Sequence, residues 1–237
     1  MSETWYEEEL IPTSATIEQI AKATSRSLAS VQAQVDEQAR GKLRVTTPDW
    51  ARLSDTSNLL TSGRPADFYR VRLGFEFEVT PAGEATNARF VYAVCAAYLW
   101  SATPSAEQPR VYELYPRDYY DEDKPPAATF DLGPELKVGE VGGSLGKVSV
   151  TLPLGSHEPV VVGYVGEQER APRWELRPKS QTLRGVRYFW LLIQVPQSSG
   201  GVRLATRAEG DVQTVLGRIP IGPKQRAWEA RPSVLIR

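Results

Sequence analysis

The sequence predicts a mainly β chain: an antiparallel β-sandwich or jelly-roll-like domain of about ten strands, preceded by one amphipathic N-terminal helix. Three observations carry that prediction. From Phe68 onward apolar residues alternate with polar ones at the two-residue period of strands. Pro and Gly separate these runs, and no strong helical pattern follows Pro65. Before that point, from Thr16 to Arg40, apolar positions recur at steps of three and four.

Taken in order, residues 1–15 form an acidic lead in which Trp5 and Tyr6 precede Glu7, Glu8 and Glu9. Such a terminus docks a partner, packs back on its own domain or stays mobile. Residues 16–41 are expected to form a single helix. Thr16 with Gln19 fits a capping box, and Gly41 sits where a helix end favours a left-handed residue. Its apolar stripe is thin, with Ile17, Ile20, Leu28, Val31 and Val35 as the large aliphatics. These five residues are the expected interaction surface, turned toward a partner protein, a second copy or the chain's own β domain.

Residues 42–67 read as a connector, with a turn at Thr47-Pro48-Asp49-Trp50 and a short helix through Leu53. The β domain then occupies 68–237. Its clearest strand sets Tyr69, Val71, Leu73, Phe75, Phe77 and Val79 against Arg70, Arg72, Gly74, Glu76 and Glu78. The run Arg89 to Trp100 is apolar on both faces, as in a central strand. Further strands are expected at 110–115, 148–154, 159–165, 174–177, 186–195, 202–207, 212–219 and 233–236. Trp100, Trp174, Trp190 and Trp228 fall in or beside strands, where a sandwich core uses such rings.

Composition narrows the function classes. A net charge of −1 argues against a general nucleic-acid binder, although 21 of the 28 cations are Arg. One Cys excludes an internal disulfide and a cysteine-based zinc site. The N-terminus has no secretory pattern, and no apolar run approaches the roughly 20 residues of a membrane-spanning helix. A cytoplasmic location in a reducing compartment follows as an expectation.

Several short motifs suggest chemistry. Gly142-Gly143-Ser144-Leu145-Gly146 matches G-x-S-x-G, but strand-like residues follow it where a nucleophile elbow needs a helix. Gly146-Lys147 supplies part of a P-loop, with Val141 and Val148 at positions that require Gly and Ser or Thr. Asp118, Asp121, Glu122 and Asp123 are a candidate calcium loop, or a solvated acidic one. His157 reads as a surface turn residue, and Cys95 as a small buried hydrophobe. Glu76 and Glu78 share the wet face of one strand.

No catalytic, cofactor-binding or metal residue is assigned on this pattern. The reading it favours is a non-enzymatic interaction or assembly module, self-associating as a homo-oligomer or binding another protein. A ligand- or membrane-surface module, such as a toxin or defence effector, is the alternative. A carboxylate- or metal-dependent enzyme is the second.

Overall fold

The computed structural model describes residues 3–54, 59, 65–119, 127–131, 149–153, 160–177, 183, 185–224 and 227–237. The acidic lead is a strand, β1 (Thr4–Pro12). Leu10 is buried on its inner face. On the outer face Glu7 meets Lys42 at 2.5 Å and Arg44 at 2.9 Å, which hold its carboxyl below the usual range.

The single helix expected over 16–41 is two helices, α1 (Ser14–Thr24) and α2 (Leu28–Gln38). Ser25 takes a left-handed conformation (φ 52°) between them, and Ser27 caps α2 by accepting from the N–H of Ser30. Thr13, rather than Thr16, caps α1. The reason lies in the strands on either side. β2 (Gly41–Thr46) pairs with β1, Leu10 opposite Gly41, so the chain must return to within one strand spacing, about 5 Å. A straight helix of 25 residues would carry it about 37 Å away. Gly41 begins β2 and caps no helix. A Cβ there would lie 2.6 Å from the Phe90 ring and 2.8 Å from Ile221.

The remaining elements are β3 (Asp49–Arg52), β4 (Ala66–Val79), α3 (Pro81–Ala85), β5 (Arg89–Ser101), β6 (Arg110–Tyr115), β7 (Asp118–Tyr119), β8 (Ala127–Asp131), β9 (Ser149–Pro153), β10 (Val160–Gly166), β11 (Ala171–Arg177), β12 (Arg187–Pro196), β13 (Val202–Thr214), β14 (Gly217–Pro223) and β15 (Ser233–Ile236). All pairing is antiparallel, in the order β6-β12-β4-β2-β1-β14-β13-β5-β11-β10-β7, with β3 beside β4 and β15 beside β13. The short helix expected through Leu53 is the strand β3.

The mainly β class holds, but the architecture is a nearly closed barrel and not a sandwich. A sandwich has two sheets with separate edges. Here one ladder runs unbroken, and its two ends, β6 and β7, are consecutive in the chain. The Gly163 N–H donates to the Arg117 carbonyl, which draws β10 onto the β6–β7 link. A Cβ on Gly163 would collide with the Leu114 side chain and the Pro116 carbonyl oxygen. Gly163→Ala is therefore expected to cost about 1–3 kcal/mol, since a backbone carbonyl cannot swing aside as a side chain can. Urea unfolding checks this, and an unchanged midpoint would show that the seam has room.

Inward residues of both walls form one core. Trp174 stacks on Phe189 with centroids 4.7 Å apart, and Phe77 meets Phe90 at 5.2 Å. Trp174 lies in this core as expected, whereas Trp190 is buried on the other face of β12, under Arg70 and Arg72. Trp100 and Trp228 are only half-buried. The registers give the barrel two distinct ends. α1, α2, α3 and the start of β10 share the helical end, and β10 ends at the far end beside the end of β5.

β14 separates β13 from β1 along only part of their length, at Gly210–Thr214 and Leu10–Pro12. Beyond Pro223 the gap is bridged by Arg231. Its side chain is 1% exposed; it reaches the Glu8 carboxylate at 2.5 Å and donates to the Thr206 carbonyl at 2.6 Å and to Tyr6 Oη at 3.1 Å.

Candidate functional site

Between β7 and β10 the chain leaves the barrel, and β8 and β9 pair with each other as a separate two-stranded sheet. Neither pairs with a barrel strand among the described residues. The register runs Ala127 to Pro153, Ala128 to Leu152, Thr129 to Thr151, Phe130 to Val150 and Asp131 to Ser149. Side chains alternate between faces along a strand, so partners directly opposite share a face. Ala128, Phe130, Val150 and Leu152 therefore hold one parity, and Ala127, Thr129, Asp131, Ser149, Thr151 and Pro153 the other. The first set is apolar throughout, and the second is hydroxylic and acidic apart from Ala127 and Pro153.

The sequence continues the pattern beyond Asp131 and on either side of 149–153. From 128 to 138 it reads Ala128, Phe130, Leu132, Pro134, Leu136 and Val138 against Thr129, Asp131, Gly133, Glu135 and Lys137. From 146 to 154 it reads Gly146, Val148, Val150, Leu152 and Leu154 against Lys147, Ser149, Thr151 and Pro153. Each stretch is close to the 9–11 residues with which a tilted strand crosses a bilayer. Sequence reading found the second half, and β9 lies within the strand expected at 148–154. The first half is not among the expected strands, although its period-two signal is equally clear. Pro125, Pro126, Pro134 and the glycines give that region the look of a loop.

The five aliphatics of the expected helix surface are divided. Ile17, Val31 and Val35 lie in the barrel core, Ile20 packs against it half-buried, and Leu28, the first residue of α2, is 53% exposed. Cys95 is buried, and burial pushes its thiol well above its usual range. Glu76 pairs with Arg44 at 2.8 Å and Glu78 approaches the same guanidinium at 3.7 Å, so the strand's wet face is cross-linked to β2. Asp118 belongs to β7. Asp121, Glu122, Asp123, Ser144, Gly146, Lys147 and His157 lie outside the described residues. Among the described residues no group of three or more His, Cys, Asp or Glu is arranged to hold a metal ion. Among them, too, no helix is long and apolar enough to cross a membrane.

No family model matches this sequence, and no curated protein matches it. Among solved structures it is similar to the NetB toxin of Clostridium perfringens in its membrane-inserted form, with 5% identity and a TM-score of 0.35, covering 83% of this chain and 94% of that one. It is similar also to the Clostridium perfringens delta-toxin, with 8% identity and a TM-score of 0.39, covering 84% and 89%. A third similar structure, described as a pore forming protein, has 7% identity and a TM-score of 0.37, covering 82% and 89%. Superposition at this level decides nothing about activity, so the functional argument rests on the hairpin.

Proposed function

We propose that this chain is a membrane-inserting protein that works as an assembly of copies, with the β8–β9 hairpin as its spanning element. One observation carries the reading: β8 and β9, which among the described residues pair only with each other, lie in two sequence stretches that alternate apolar and polar residues over a length near that of a spanning strand. This alternation fits a strand with lipid on one side and water on the other.

Assembly follows from the backbone. Hydrocarbon offers no water to unpaired N–H and C=O groups, so a lone hairpin cannot remain in it with two open edges. Hairpins from neighbouring copies supply the missing partners when they close into a ring. The smallest spanning barrels have about eight strands, which sets a minimum of about four copies. Thr129, Asp131, Ser149 and Thr151 then line an aqueous lumen, and Phe130, Val150 and Leu152 face lipid.

The test is dye release from phosphatidylcholine–phosphatidylserine vesicles by the full chain, combined with single cysteines along 128–131 and 149–152 carrying a polarity-sensitive fluorophore. Buried Cys95 does not compete for the label. Release together with blue shifts at alternate positions is expected. Release without alternation, or no release, overturns the hairpin's role.

A further inference from the structure

Resting on the membrane reading, we infer that the far end of the barrel carries a separate lipid-headgroup docking surface, built on β5, β13 and the turn before β11. Tyr98 and Trp100 stand on the outer face of β5, opposite Ala205 and Arg203 of β13. Trp228 stacks on Tyr98 with centroids 5.5 Å apart and planes 18° from parallel. Arg207 lies over the Trp228 ring at 4.7 Å, and Arg170 over Tyr98 at 5.5 Å. Arg203 is exposed, and all three rings are half-buried.

The chemistry fits a phospholipid interface. Half-buried Trp and Tyr gather at headgroup depth, where one part of the ring is apolar and another is wet. A guanidinium stacked on a ring is held in place while its edge N–H groups stay directed to the side, the geometry that bidentate phosphate binding requires. Arg170 also lines a cleft of about 270 Å³ with Arg110 and Gln194. Arg110 Nε donates to the buried Gln194 Oε1 at 2.8 Å, and its guanidinium lies 3.8 Å from Glu169, which lines the same cleft with Glu107. Arg170, Arg203 and Arg207 set guanidinium groups beside the three rings, and these are the groups a headgroup phosphate would meet.

The hairpin leaves the barrel at the helical end, so it must reach the far end to share one membrane with the patch. β10, which spans that distance, is 7 residues, about 23 Å. The links at 120–126 and 154–159 are six to seven residues each, about 20–23 Å when extended. The hairpin can therefore be delivered to the patch's end without unravelling β7 or β10.

Vesicle flotation of the full chain tests this, with Arg203→Glu and the double variant Trp100→Ser with Trp228→Ser, and with Val150→Lys as the hairpin control. Arg203 is exposed, so its variant remains informative if the tryptophan variant fails to fold. Expected are a tenfold or greater loss of vesicle binding in the patch variants and unchanged binding by Val150→Lys, which loses only dye release. Undiminished binding by both patch variants overturns the docking surface and leaves the hairpin reading intact. Binding without release by the wild-type chain overturns the hairpin reading alone. No vesicle binding by the wild-type chain overturns both. A patch variant that changes the oligomeric mass without lipid marks a protein interface and overturns the lipid assignment.

Discussion

Replacing Arg231 by Met is expected to lower the free energy of unfolding by about 3–5 kcal/mol, the usual cost of removing one partner from a buried ion pair. The guanidinium does three jobs at one break in the wall. It neutralises Glu8, satisfies the Thr206 carbonyl and fixes Tyr6 Oη, which itself sits 2.9 Å from that carbonyl. Met fills the volume but leaves a carboxylate and a carbonyl facing an apolar stem. Arg231→Lys should recover only part of the loss, because a point charge cannot serve three acceptors set at fork angles. Urea unfolding of both variants, with a Glu8→Gln cycle, measures the coupling. A loss under 1 kcal/mol for Arg231→Met would mean that water replaces the guanidinium and that the wall does not depend on it.

The same cluster has a pH signature. Burial raises the Tyr6 phenol above its ordinary value of 10.0, against the opposing pull of Arg231. Below pH 10 both folded and unfolded chains keep this proton, and stability does not depend on it. Above pH 10 the unfolded chain releases it first, so stability falls as pH rises toward the folded value. Tyr6→Phe should flatten that alkaline slope, and an identical slope in both proteins would assign it to other groups.

The β class was legible because the alternation in β4 and the doubly apolar run of β5 are local signals, each contained in one strand. Barrel closure was not. It depends on β6 and β7 meeting β12 and β10, and the residue that permits it, Gly163, matters only through Leu114 and Pro116. The single long helix was misread for a related reason. Its stripe is continuous in sequence, and Ser25 and Ser27 show as a break only once β1 and β2 are known to be neighbours. Gly41 carried the right residue for a helix end, while its actual constraint is the Phe90 ring. Glu7, Glu8 and Glu9 were an acidic tip by composition and an alternating strand by structure, with Glu8 facing Arg231 and its neighbours facing Lys42, Arg44 and Arg40. At the hairpin, half of the pattern was read at 148–154. The other half was hidden by its prolines and glycines, residues that usually end strands.

Parity makes the hairpin reading sharp, because two adjacent residues predict opposite outcomes. Val150→Lys is expected to reduce dye release at least a hundredfold, and Thr151→Lys to leave it within about threefold of wild type. Lysine on the lipid face of a spanning strand costs about 2–4 kcal/mol near the midplane. Repeated in each of at least about four copies, that is about 8–16 kcal/mol for the assembly, beyond what a marginal insertion equilibrium can absorb. At 151 the same ammonium meets lumen water and costs little. It should instead move the channel's ion preference toward anions, since it adds a positive ring two residues along from Ser149 and diagonal to Asp131. Neither change should alter the unfolding midpoint, because β8 and β9 pair outside the barrel ladder. Equal loss in both variants would indicate a hairpin that packs against protein on two faces. No loss in either would remove the hairpin from the membrane and return the search for function to the outer faces of the barrel.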